Sequence, residues 1–136
     1  MSVEITCTWR AAITDEEMVD LVRSHGGRAE AGWWDRIREH SLGWVGARGE
    51  DGLLVGFVNV AWDGGDHAFL IDTKTRGTHQ RRGIGTAVVR VAAERAKAAG
   101  CEWLHVDFDP ELADFYFGSC GFRSTDAGLI HLRPAQ

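Results

Sequence analysis

Apolar positions along the chain change their period several times, and each change marks an element. Val3 to Arg10 carries strand-type residues. Thr14, followed by Asp15, Glu16 and Glu17, is a capping-box start, in which the Thr hydroxyl caps the helix and Glu17 reaches back. Met18, Leu21 and Val22 then recur at helical spacing up to Gly26-Gly27, where the helix stops. Trp33, Trp34 and Ile37 mark the apolar side of a second short helix over Ala31 to His40. Gly43 to Arg48, the turn Glu50-Asp51-Gly52 and Leu53 to Trp62 predict a hairpin. After a turn at Asp63-Gly64-Gly65, Ala68 to Thr75 predicts a third strand in succession.

The most regular helix spans Ile84 to Ala99. Ile84, Val88, Val91 and Ala92 share one face, Arg90 and Glu94 form an i,i+4 pair on another, and Gly100 supplies the C-terminal cap. Trp103 to Phe108 alternates Leu104, Val106 and Phe108 against His105 and Asp107, the pattern of a half-buried strand. Pro110 suits the first turn of a short helix through Phe117, and Phe122 and Gly128 to Leu132 predict closing strands. The order β-α-α-β-β-β-α-β-α-β-β implies a mixed sheet with helices packed on it.

Composition adds bounds. The 136 residues suffice for one domain, 1–136, with a single core, and no linker or repeat divides them. A formal net charge of −5 counts against a nucleic-acid binder and suits a cationic partner better. Cys7, Cys101 and Cys120 have neither metal spacing nor an even count, so they read as reduced thiols. The start MSVEITCTW lacks a basic and an apolar signal region, and no apolar run approaches the ~20 residues of a membrane span. A cytoplasmic protein without membrane contact is expected.

The stretch with chemical content is Gln80-Arg81-Arg82-Gly83-Ile84-Gly85-Thr86, between a strand and the long helix. Glycines at a helix mouth let backbone N–H groups approach a ligand, and the helix dipole favours an anion there. Arg76, Arg81 and Arg82 would add charge for phosphates. A Walker loop would need Gly-Lys-Ser/Thr, and a dinucleotide fingerprint would need glycine where Val88 stands.

Gln80-x-x-Gly83-x-Gly85 resembles the Gln/Arg-x-x-Gly-x-Gly/Ala signature of the GNAT superfamily of N-acetyltransferases. Ala113-x-x-Tyr116 followed by Gly121-Phe122 resembles its C-terminal motif. The likeness is strong over about half the chain, and the order of elements extends it over nearly all. It implies an α/β (α+β mixed) fold with a central, mostly antiparallel sheet of about six to seven strands flanked by about four helices. Two departures stand out. Pro110 replaces the usual Asn, and one extra residue separates Tyr116 from Gly121, so counting back from Gly121 puts Phe117 in the tyrosine slot. Counting forward from Leu104-x-Val106 puts Tyr116 there, and only Tyr116 carries an ionisable hydroxyl.

The resemblance implies transfer of acetyl from acetyl-CoA to a primary amine of a small molecule or peptide by direct attack. Thr73 would offer its backbone N–H to the oxyanion, Thr75 would pair with the pantetheine arm, and Tyr116 would protonate the thiolate. Cofactor contacts fall on Gln80, Arg81, Arg82, Gly83, Ile84, Gly85 and Thr86. A carboxylate often stands where this chain has Phe69, which leaves the proton-accepting role to Asp72 on the same strand or to His105 or Asp107 on the next; for Asp72 and His105 a structural role is the stronger reading of the residue alone. Trp33 and Trp34 could wall an acceptor pocket or fill a core. No metal is expected, and a homodimer is the expected assembly. The alternative is a non-catalytic acyl-CoA-binding sensor that keeps the cradle and lacks the base.

Overall fold

The computed structural model describes residues 4–133; Val3, at the start of the first expected strand, lies outside the described residues. Its centre is a five-stranded sheet in the order β1-β2-β3-β4-β5: Thr6–Trp9, Ser41–Arg48, Leu54–Trp62, His67–Thr75 and Trp103–His105. Successive strands run antiparallel until β5, which lies parallel to β4. That parallel step needs a crossover, and helix α3 (Ile84–Ala98) provides it. Helices α1 (Asp15–Ser24) and α2 (Trp33–Ile37) cover the opposite face, and α2 runs on into a 3₁₀ turn at Arg38–His40.

Strand β3 is central and buried on both faces, as its near-continuous run LVGFVNV requires. On one side Val58 and Val60 meet Ile84, Val88, Val89, Ala92 and Ala96 of α3. On the other, Phe57 and Leu54 join Met18, Leu21 and Trp34. Trp34 is fully buried, with Trp44 and Phe57 each edge-on at 5.0 Å, so it is a core residue rather than a pocket wall. The capping box forms: Glu17 N–H donates to Thr14 Oγ1 at 3.1 Å, and Thr14 N–H to Glu17 Oε1 at 3.1 Å. Asp15 receives Gly32 N–H at 2.6 Å and Trp34 N–H at 3.2 Å, which ties the start of α1 to the start of α2.

Three expectations need correction. The strand read over Trp103 to Phe108 ends at His105, because β4 and β5 stay paired only from His67↔Trp103 to Phe69↔His105 and then part. The short helix read over Pro110 to Phe117 becomes a 3₁₀ turn, Pro110–Leu112, followed by a π-helix, Asp114–Ser119. Phe122 and Gly128 to Leu132 form no ladder among the described residues, so the sheet has five strands instead of six or seven. Their β-forming residues still need a neighbouring strand, and Leu129, Ile130 and Leu132 stand in solvent.

Candidate active site

The site is built where β4 and β5 separate. Beyond Phe69, β4 runs on alone beside β3, and its register shifts from Asn59↔Ile71 to Phe57↔Lys74. Asp72 and Thr73 thus oppose the single residue Val58, a β-bulge, and Asp72 takes the left-handed φ of 59°. Such bulges re-aim the residues that follow, here Thr73, Lys74 and Thr75.

After β4 the chain makes a 3₁₀ turn, Gly77–His79, and enters the glycine loop. Arg81 and Gly83 take φ of 64° and 80°, and α3 begins with no side-chain cap. Ala87 N–H is the first to bond within the helix, to Gly83 O at 3.0 Å, so the N–H groups of Ile84, Gly85 and Thr86 have no partner inside it. Uncapped donors at the positive end of a fifteen-residue helix suit an anion. Gly85 packs closely against the opposite wall: a Cβ there would meet Phe115 Cζ at 3.0 Å, and the ring would have to give way.

The π-helix supplies the opposite wall. Cys120 N–H bonds to Phe115 O at 2.9 Å, a span of five residues that takes up one residue more than an α-turn. The extra residue between Tyr116 and Gly121 is absorbed in this way. Tyr116 therefore points inward and is buried, whereas Phe117 is 42% exposed. The Tyr116 hydroxyl donates to Thr73 Oγ1 at 3.2 Å, and its ring stacks on Phe108 with centroids 4.6 Å apart. Burial pushes the Tyr116 pKa above its ordinary value, with the Thr73 hydrogen bond pulling the other way, so the phenol keeps its proton at neutral pH.

A cavity of about 730 Å³ joins these parts. Thr73, Thr75 and Tyr116 line it together with Gln80, Arg81 and the helix start from Gly83 to Thr86. Sequence reasoning missed His25, Lys74, Glu111 and Phe115, which also line it. Phe115 had a signal in the aromatic run Phe115-Tyr116-Phe117, whereas His25 reaches the cavity from the end of α1 and had none.

Other candidates stand apart. Arg76 is buried: its Nε donates to Leu54 O at 2.8 Å and its Nη2 to Asp20 Oδ2 at 2.9 Å, so it anchors α1 to the sheet instead of serving phosphates. Asp72, Arg82 and His105 are not among the lining residues. Burial raises the pKa of Asp72, with Lys74 opposing. His105 sits on the last paired rung, its Nε2 2.8 Å from His67 Nδ1 and its ring stacked on Phe69 with centroids 4.6 Å apart. Among the described residues, no group of three His, Cys, Asp or Glu is placed to hold a metal ion, and no helix is long and apolar enough to cross a membrane.

An anion cradle at a helix start, facing a splayed pair of parallel strands and a protonated tyrosine, is the frame of an acyl-CoA-using transferase. The chain matches the profile of the Acetyltransferase (GNAT) family over residues 8–122 and belongs to that family. Solved structures agree in fold. A GNAT-family acetyltransferase from Streptococcus pneumoniae is 21% identical, with a TM-score of 0.77, covering 96% of this chain and 100% of its own. Glucosamine-6-phosphate N-acetyltransferase from Arabidopsis thaliana is 17% identical with a TM-score of 0.73, covering 93% of this chain and 97% of its own. The aminoglycoside N-acetyltransferase AAC(6')-Iy, solved in complex with CoA, is 15% identical with a TM-score of 0.74, covering 99% and 98%. No protein of curated function matches the sequence.

Proposed function

We propose that this protein transfers acetyl from acetyl-CoA to a primary amine of a small molecule or peptide, by direct attack of the amine on the thioester. The observation that carries the reading is the Tyr116 hydroxyl held 3.2 Å from Thr73 Oγ1, in the same cavity as the uncapped start of α3. A pyrophosphate seats on the N–H groups of Ile84, Gly85 and Thr86, with Gln80, Arg81 and Arg82 as polar and charged neighbours of the loop. Thr75 pairs through its backbone with the pantetheine arm. The amine lone pair forms the C–N bond, the Thr73 N–H receives the negative charge on the carbonyl oxygen, and the C–S bond breaks. Tyr116 gives its proton to the departing thiolate, and the proton that the acylated nitrogen sheds restores the phenol by way of solvent.

The amine must first lose a proton, since an alkylammonium has a pKa of about 10.4. Asp72 and His105 are our candidates for taking it. Both stand outside the cavity lining, and this favours the second reading, a domain that binds acyl-CoA and senses it without turnover. The three free thiols fit a reducing cytoplasmic setting. Thiol release from acetyl-CoA in the presence of polyamines, amino acids, aminoglycosides and peptides separates the readings. At least one amine should raise release well above the amine-free rate; binding with no amine-dependent release throughout would establish the sensor.

A further inference from the structure

The face of β4 and β5 turned away from α3 is partly bare. Ala68 and Leu70 pack into the core beneath α3, so Phe69 and Ile71, which alternate with them, fall on the other face. There α1 and α2 cover β3, where Phe57 meets Trp34, but Phe69, Ile71 and Trp103 remain 40%, 41% and 44% exposed. Large apolar side chains gathered in water mark an interaction surface.

The rings on this face form a platform with a charge at each end. His105 stacks on Phe69 with planes 18° from parallel, and the His67 ring joins them with its centroid 5.1 Å from that of His105. At the Trp103 end the Arg123 guanidinium lies 5.1 Å from the ring centre. At the other end is Asp107. Val106 packs against the core and Phe108 stacks on Tyr116, so Asp107 between them falls on the side of His105, exposed. Burial first, and among smaller causes the charge of Asp107, holds the Tyr116 pKa up, which puts this carboxylate within electrostatic reach of the phenol.

A ligand with one ring and one cation fits that order of groups. Its ammonium belongs beside Asp107 and away from Arg123, and its ring on the apolar side chains. Alternate residues of a strand stand about 6–7 Å apart, so a ring resting on Phe69 and Ile71 brings an amine on a short chain to the bulge at Asp72 and Thr73. A polyamine or aminoglycoside would lay its further ammonium groups over Phe69, Ile71 and His105, which carry none of the carboxylates such ligands need. We propose that this face binds an arylalkylamine, the acceptor of the transfer, with its ring on Phe69 and Ile71 and its ammonium on Asp107. This names the substrate class for the acetyl transfer proposed above and rests on that reading.

Calorimetric titration of phenethylamine and of spermidine into the full chain saturated with CoA tests the site, and thiol release from acetyl-CoA with the same amines tests the transfer. Phenethylamine should bind the more tightly of the two. Phe69→Ala should weaken it by about tenfold, the scale of one aromatic pair, with Phe69→Tyr close to wild type. Asp107→Asn should weaken it by roughly 10–100-fold, the scale of one hydrogen bond to a charged group. Tighter binding of spermidine, no binding of phenethylamine at millimolar concentration, or an affinity untouched by Phe69→Ala overturns the proposal. Should Phe69→Ala fail to fold, Asp107→Asn decides, and an affinity untouched by it overturns the proposal as well. Release with spermidine but not with phenethylamine keeps the transfer and overturns this acceptor. Phenethylamine that binds through both residues, with no release by any amine, supports the site and overturns the transfer.

Discussion

The two ends of β4 are built in different ways. At its far end, from Thr73 through the glycine loop to Thr86, the surface we propose for the acyl donor consists largely of backbone: a bulge, two left-handed residues and an uncapped helix start. At its near end, His67, Phe69 and Ile71 present side chains outward beside His105 of β5, and Phe69 and Ile71 are 40% and 41% exposed. A donor shared by many enzymes can be held by N–H groups that any sequence supplies once glycines allow the approach. An acceptor particular to one enzyme has to be met by side chains, and those follow no fixed spacing. The glycine-loop end is therefore readable, and the end built from exposed side chains is not.

The sharpest break in this comparison is Tyr116→Phe, which removes one oxygen beside Thr73 at the far end. With an amine that turns over, steady-state kinetics should show kcat down by about 10²–10⁴-fold, while the acetyl-CoA Kd stays within a few fold. Losing the hydrogen bond to Thr73 should also lower stability by about 1 kcal/mol in chemical denaturation. An acyl donor with a more acidic leaving thiol should narrow the kcat deficit.

Smaller effects should follow at the loop. Replacing Arg81 and Arg82 together by Ala should weaken acetyl-CoA by roughly 10–100-fold, the scale of one charge-assisted hydrogen bond at about 1.5–3 kcal/mol. Calorimetric titration of dephospho-CoA sharpens the assignment. An equal loss for both ligands places these charges on the pyrophosphate, and a larger loss for CoA places one on its 3′-phosphate.

Much of the donor end could be read from residue types because its causes are local. Thr14 and Glu17 cap across three residues, Gly83 and Gly85 sit within one turn of the helix they open, and Gly100 closes it. Tyr116 could be placed by counting from β5, but the count back from Gly121 gave Phe117 because a π-turn leaves no spacing of its own. Arg76 was misassigned to phosphate because its partner Asp20 is 56 positions away. The end of β5 depends on where two strands diverge, and the alternation from Leu104 to Phe108 carries no trace of it. The closing strands were legible as β-formers, but a strand is a property of two neighbours.

The smallest effect expected concerns Asp72, on the bulge between the two ends. Burial raises its pKa in the folded state, so the folded chain holds the proton more tightly than the unfolded one. That contribution is complete below the usual carboxylate value and is lost as pH rises through the folded value. Asp72→Asn should therefore melt higher than wild type near pH 7 and close to it near pH 4, and asparagine tolerates the left-handed φ of 59°. If the melting difference is the same at both pH values, the carboxylate is not the cause.

Thermal unfolding with and without acetyl-CoA tests the central claim most directly, since it asks whether the loop at the start of α3 holds this donor. A ligand that binds only the folded state stabilises it by RT ln(1 + [L]/Kd), about 2.7 kcal/mol at a hundredfold excess over Kd. In a domain of this size that is an upward shift of Tm of roughly 10 °C. Such a shift, reduced in the double variant Arg81→Ala, Arg82→Ala, is the predicted result. No shift at millimolar acetyl-CoA would contradict the account.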